Sequence, residues 1–294
     1  MVKKPTSKPS IAIVGPGNLG SALAAALAHT GYPVSQIVSR RNSSGLSAAR
    51  ALARRIKAKH VLLGDHPLAA DIVWLTVPDD AIAIVAQELA PTQSWKGNIV
   101  FHSSGARTSE ELAPLGEKGA LVASAHPLMT FVAGRKPLWR GVSFAIEGDG
   151  KAVKLARNIA SDLGGVPFTI EKQSKPLYHA FGSFASPLVI ALMSAMEQVA
   201  EAAGIPPAKA KAMMQPLLAE TLNNYLRADA PSAFSGPLIR GDVQTVRKHL
   251  AQLRRTPEAR DAYVALARVA IERLPVKNKE ALTNELLRTR PHDK

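Results

Sequence analysis

The chain has 294 residues, enough for one large domain or two ordinary ones, and its 46% apolar content suffices for a buried core. It has no cysteine, which excludes disulfides, thiolate nucleophiles and cysteine–zinc sites. The formal charge of +14 arises from 37 Lys and Arg against 23 Asp and Glu, but these basic residues are spread along the chain and only 5% of residues are aromatic, so no nucleic-acid partner is expected.

Residues 1–10 are basic and polar and read as a flexible tail without a secretory signal. No apolar run approaches the roughly 18 residues of a membrane span. No membrane partner is expected, and a cytoplasmic location is. From residue 11, short apolar runs alternate with helical stretches, the pattern of a parallel sheet. Strands are expected at 11–14, 34–39, 60–63, 72–77, 99–102, 120–124, 142–146 and 168–170, all in one sheet. Helices are expected at 20–29, 47–57, 80–89, 109–115 and 151–163. After residue 171 nearly everything reads as helix. One helix covers 176–203 and ends at Gly204, and another opens at Pro206 and Pro207. Pro187 and Pro216 are expected to kink or break their helices, and Asp242 and Thr256 to act as N-caps. The fold class is therefore an α/β Rossmann-like parallel-sheet domain, residues 11–171, followed by an all-α domain, residues 172–294.

Gly15-Pro16-Gly17-Asn18-Leu19-Gly20 fits G-x-G-x-x-G with a strand before it, a helix after it and a further strand about 20 residues on. Gly15 permits the tight turn, Gly17 lets a diphosphate approach the backbone, and Gly20 lets helix and strand pack closely. The free N–H groups at the helix start, from Asn18 and Leu19 onward, face the phosphates. Where an NAD site carries an acid at the end of its second strand, this chain has Ser39-Arg40-Arg41-Asn42-Ser43. Two guanidinium groups and short hydroxyls match a 2′-phosphate, so NADP is the expected cofactor.

Ligands of open α/β sheets bind beyond the carboxyl ends of the strands. Thr76, Val77 and Pro78 are placed there for main-chain contact with the cofactor, with Asp79 as a cap. His102 and Ser103 end one strand and His126 another, on the cofactor side, where histidine can act as an acid or orient a carbonyl. No third ligand has suitable spacing for a metal, and none is expected. In "KPLYHAFGSFASP", Lys175, Tyr178 and His179 fall at i, i+3 and i+4 and share a helix face. Small residues including Gly182 and Ser183 follow. In "FSGPLIRGD", Arg240 stands in a tight turn where it can clamp a carboxylate or phosphate, ahead of the capping Asp242.

The glycine turn, "TVPDDAI", "HSSGA", "AHPLMTF", "YHAFGSFASP" and "SGPLIRGDVQTVRKHL" occur in this order over nearly the whole chain. Together they resemble the NADP-dependent oxidoreductases that join a Rossmann-like domain to a C-terminal helical domain of unknown function. The "YHA" and "GPLIRGD" segments carry most of that resemblance. The layout is more distantly similar to pyrroline-5-carboxylate reductase, deazaflavin-dependent NADP reductase and prephenate dehydrogenase. Segment 180–187 matches the serine-rich helix of the first of these only loosely, so proline synthesis is not supported. The resemblance implies a helical domain that pairs two subunits as a homodimer, and a site in the cleft between domains. The expected activity is hydride transfer between NADP(H) and a small carbonyl, imine or alcohol. His179 is the expected acid/base, with Lys175 as the alternative. Ser103, His102 and His126 would line the pocket, and Tyr178, Ser183 and Arg240 would contact substrate. The competing reading is an NADP-binding sensor without turnover.

Overall fold

A computed structural model describes residues 8–41, 44–65 and 67–288, and every expected strand forms there. The strands are β1 (Ile11–Val14), β2 (Val34–Ser39), β3 (Lys59–Leu62), β4 (Ile72–Leu75), β5 (Ile99–His102), β6 (Leu121–Pro127), β7 (Ser143–Gly148) and β8 (Val166–Thr169). They make one eight-stranded sheet in the order β3-β2-β1-β4-β5-β6-β7-β8. Its first six strands follow the 3-2-1-4-5-6 order of a dinucleotide-binding sheet, which reverses direction between β1 and β4. All pairs are parallel except β6 with β7. The cause is the connection between those two: residues 128–142 hold no helix, and without a crossover element the chain returns antiparallel. This pairing also lengthens β6. His126 lies opposite Ala145 inside the strand, where a strand ending at 124 was expected.

Helices α1 (Asn18–His29), α2 (Leu46–Arg55), α3 (Ile82–Leu89), α4 (Ala113–Gly116) and α5 (Gly150–Asp162) cover the two faces. The period-2 geometry of a strand divides β1 between them. Ile11 and Ile13 join a core with Leu23, Leu27, Leu52 and Ile159, while Ala12 and Val14 join another with Val85, Leu89, Trp95 and Leu115. Full burial of each such large aliphatic chain stabilises the fold by about 1.5–3 kcal/mol, and the strands therefore read as unbroken apolar runs.

The end of the expected tail is tied down. Lys8 Nζ donates to Thr30 O and pairs with Asp162, and the Ser10 N–H and hydroxyl both donate to Asp71. Residues 1–7 of that tail lie outside the described residues, as do Asn42 and Ser43.

The chain divides into two compact units after Ser183, beyond the expected boundary at 171/172. The first unit keeps most of α6 (Lys175–Ala185), because Lys175 is wholly buried in it. The second unit holds α7 (Pro187–Ala202), α8 (Pro207–Arg227), α9 (Ala230–Ala233), α10 (Pro237–Arg240), α11 (Val243–Gln252), α12 (Pro257–Arg273) and α13 (Lys279–Leu287). There α7 packs on α8 and α12, and Val246, Leu250, Ala267, Ile271, Leu282 and Leu286 form a core. Pro187 does interrupt: Ser186 leaves helical geometry and α7 restarts at the proline. Pro216 sits within a continuous α8. The Asp242 carboxylate caps α11, accepting from the Thr245 N–H and hydroxyl. Thr256 occupies the N-cap position of α12 without a side-chain cap bond. Lys172–Ala202 contains an 18-residue window of mean hydropathy 1.4, by length and composition apolar enough to cross a membrane, which short apolar runs alone did not suggest. Two features make it something other than one spanning helix: the break at Ser186 and the burial of Lys175 among polar groups of the sheet.

Candidate functional site

The switch point between β1 and β4 carries the first part of the site. Gly15 has φ +90°, which favours glycine, and a Cβ there would lie 2.6 Å from Val77 Cγ1. Gly20 admits no Cβ either, since one would strike the Gly15 carbonyl oxygen and Thr76 Oγ1. A Cβ on Gly17 would meet nothing within 4 Å: that position faces open space. Thr76 holds the turn, its hydroxyl donating to Gly15 O at 2.8 Å. No side chain caps α1, so its first N–H groups are not taken by a cap. Beside this turn lies a cavity of about 470 Å³, lined among others by Gly15, Gly17, Ser39, Arg40, Thr76, Val77 and Pro78.

Four expected cofactor residues do not line this cavity with their side chains, although Asn18 and Leu19 open α1 with their N–H groups and Gly20 packs helix on strand as expected. Leu19 packs against the core and Gly20 is buried behind the turn. Asn18 Nδ2 donates to Phe131 O at 3.2 Å, tying α1 to the β6–β7 connection. Arg41 is not among the cavity-lining residues, and its guanidinium is turned to Asp65. Ser39 Oγ is 3.0 Å from His60 Nε2. Asp79 does not cap: it opens a 3-10 turn, Asp79–Ala81, with no side-chain cap bond.

The second part gathers at the ends of β5, β6 and β7. Lys175, the first residue of α6, is 0% exposed. Its ammonium donates to Ser104 O at 3.0 Å and to Ser124 Oγ at 2.6 Å, and lies 3.7 Å from Glu147 Oε1. Glu147 in turn accepts from the Ser109 N–H and hydroxyl, both at 2.7 Å. Burial pushes the Lys175 ammonium down to about 8, against the opposing charges of Glu147 and Asp79. With its protons engaged and no exposed surface, Lys175 is a lock on the Ser103–Gly105 loop, and its expected role as alternative acid/base would require those bonds to open.

His102 is held in the same way. It is fully buried, its Nε2 donates to Thr108 O at 2.9 Å, and its Nδ1 accepts from the Ser104 N–H at 3.1 Å. Both ring nitrogens are therefore spent on the backbone, and burial holds the ring neutral, down to about 4. Ser103 Oγ accepts from the Trp74 indole N–H at 2.8 Å. Ser183 spends its hydroxyl on His179 O at 3.1 Å, so the expected substrate contact is not made by a free hydroxyl. Arg240 ends α10 in the helical unit and is not among the residues that the sheet brings together.

His126, Tyr178 and His179 do converge. His126 Nδ1 lies 2.9 Å from the Tyr178 hydroxyl, and the His126 and His179 ring centroids are 6.1 Å apart. Burial first, and then the Lys175 charge, push His126 down to about 3; burial pushes the Tyr178 phenol up to about 12. Both are neutral near pH 7. His179 is exposed, and its ring makes no hydrogen bond among the described residues. Gly105 lies against both imidazoles. A Cβ there would lie 2.7 Å from His179 Cδ2 and 2.9 Å from His126 Nε2.

Gly105, Ser109, Ser124 and Glu147 were not singled out in the sequence. Glu147 left one signal, an acid closing the apolar run "VSFAIEG".

Residues 3–127 match the model of the Rossmann-like domain, and residues 142–270 match that of a domain of unknown function, DUF2520. No curated protein matches. Among solved structures, the chain is similar to a candidate NADP oxidoreductase from Bacteroides fragilis at 22% identity and TM-score 0.74, over 91% of this chain and 99% of that one. It is similar to a protein from Thermotoga maritima at 23% identity and TM-score 0.68, over 94% and 99%. It is also similar to an imine reductase from Myxococcus stipitatus in complex with NADP+, at 18% identity and TM-score 0.63, over 95% and 100%. Together the two family models cover most of the chain, the Rossmann-like match preceding the DUF2520 match.

Proposed function

We propose that this protein is an NADP(H)-dependent oxidoreductase acting on a small carbonyl, imine or alcohol. The observation that carries the reading is the turn after β1. Gly15 and Gly20 are closed to any side chain, while Gly17 opens onto free space beside a cavity that reaches Ser39 and Arg40. That is the shape a diphosphate requires. The similar solved structures described as an NADP oxidoreductase and an imine reductase with NADP+ support it.

Bound there, a nicotinamide dinucleotide supplies or accepts the hydride. Gly15, Gly17 and the first N–H groups of α1 would hold the diphosphate. Thr76, Val77 and Pro78 would border the ribose, and Ser39 and Arg40 the 2′-phosphate. The chain's other task is to orient substrate and move a proton. His126, neutral and fixed by Tyr178, suits a hydrogen bond to a carbonyl oxygen or imine nitrogen. His179, exposed beside it, suits proton exchange with solvent. Lys175 holds the Ser103–Gly105 loop against them.

Calorimetry with NADPH and NADH, followed by NADPH oxidation against small ketones, imines and oxo-acids, tests the reading. NADPH is expected to bind more tightly and at least one class to be turned over. Equal affinity for the two, or no uptake, would sink it. Tight NADPH binding without turnover across the panel would favour a regulator instead.

We further propose a homodimer. In the helical unit Ile190 is 64% exposed, Leu217 64% and Leu226 70%, and a second copy would cover such side chains. Light scattering should give twice the chain mass; the mass of one chain would remove this proposal.

A further inference from the structure

The two arginines that follow β2 are not equivalent. Arg40 lines the cavity, and its Nη2 donates to Glu88 Oε1, on α3, at 3.0 Å. Arg41 does not line it. Its Nη2 donates to both carboxylate oxygens of Asp65, in the turn after β3, at 3.0 and 2.9 Å. Both pairs are open to water, with side-chain exposures of 52% and 45% for Arg40–Glu88 and 69% and 38% for Arg41–Asp65. Exposed pairs of this kind hold weakly. A phosphate monoester carries nearly two charges and accepts a guanidinium through two oxygens, so it outcompetes a single carboxylate oxygen at Arg40. Arg41 has no such opening, since it does not line the cavity and its Nη2 is shared by both oxygens of Asp65.

Resting on the reading of this cavity as the NADP site, we propose that Arg40 and Glu88 form an exchangeable pair. Arg40 leaves Glu88 for the 2′-phosphate, while Arg41 stays with Asp65 outside the cavity. Glu88 is then a specificity residue of a negative kind. It competes for the cation, and once released it leaves a like charge near the incoming phosphate. It does neither toward the unphosphorylated dinucleotide. The chain thus restrains its own preference for the phosphorylated cofactor.

Calorimetry of the full-length protein with NADPH, NADH and adenosine 2′,5′-bisphosphate tests this. The last probe carries the extra phosphate without the nicotinamide. Glu88→Gln is expected to tighten NADPH and the bisphosphate by about two- to fivefold, and to leave NADH within about twofold. Arg40→Ala is expected to weaken both phosphorylated ligands by about tenfold or more, and Arg41→Ala by less than about threefold. If the wild type prefers NADPH and Glu88→Gln leaves that preference unchanged, the exchangeable pair is overturned alone. The same holds if Arg41→Ala costs more than Arg40→Ala. A wild type that takes up neither dinucleotide overturns the cavity's assignment, and this inference with it.

Discussion

Lys175→Met is expected to cost the protein about 3 kcal/mol of stability near pH 7. The substitution keeps the volume of the side chain but strands Glu147, which is 4% exposed, without a counter-charge. Breaking a buried ion pair by removing one partner costs about 3–5 kcal/mol, whereas removing both charges is often neutral. The double variant Lys175→Met with Glu147→Gln should therefore return to within about 1 kcal/mol of wild type, the amide oxygen still accepting from Ser109. A second signature lies in pH. Burial brings the Lys175 ammonium to about 8 from its ordinary 10.5. Across that window the unfolded chain holds a proton that the folded chain has released, so the wild type's stability rises with pH there. Below the window that cost is carried in full. Urea titrations of the three proteins between pH 7 and the upper end of this window provide the check. A Met variant as stable as wild type, with the same pH slope, would mean that Lys175 is no lock.

Gly105→Ala and His179→Ala should both abolish most turnover of whichever substrate the oxidation panel identifies, by about 100-fold or more, while NADPH affinity stays near wild type. They act from opposite sides. His179→Ala removes the proposed proton-exchanging ring. Gly105→Ala leaves every ring in place and inserts a methyl group 2.7 Å from His179 Cδ2 and 2.9 Å from His126 Nε2, so both imidazoles must move. The atoms in the way are side-chain rings rather than backbone, so the fold should survive, and circular dichroism should read as wild type. Wild-type rates in His179→Ala would remove that residue from the chemistry. Wild-type rates in Gly105→Ala would show that the placement of the two rings does not matter.

The strands were legible because a buried parallel sheet writes itself as apolar runs separated by turn residues, as at 11–14 and 72–75. The antiparallel step to β7 left no such mark, since it depends on the missing crossover helix between 128 and 142. Gly15, Gly17 and Thr76 could be placed because strand, turn and helix are contiguous in sequence or lie at a strand end. Helical spacing correctly put Lys175, Tyr178 and His179 at the opening of one helix. It could not show that Glu147 and Ser124, on two different strands, would draw the first of them inside and leave the third in water. The paired arginines posed the same difficulty. "SRRNS" suggests two matching cations, and only the positions of Glu88 and Asp65 separate them.

Because α6 starts with a cation committed to the sheet and continues past the point where the units divide, the two halves of this chain are not interchangeable cassettes. A chimera spliced at 171/172 would import a foreign helix start and orphan an acid in the interior of the sheet-bearing half. A splice after Ser183 would carry the matching cation along with its acid. Recombination between related chains should therefore succeed at the later junction, with the opening of that helix inherited together with the sheet.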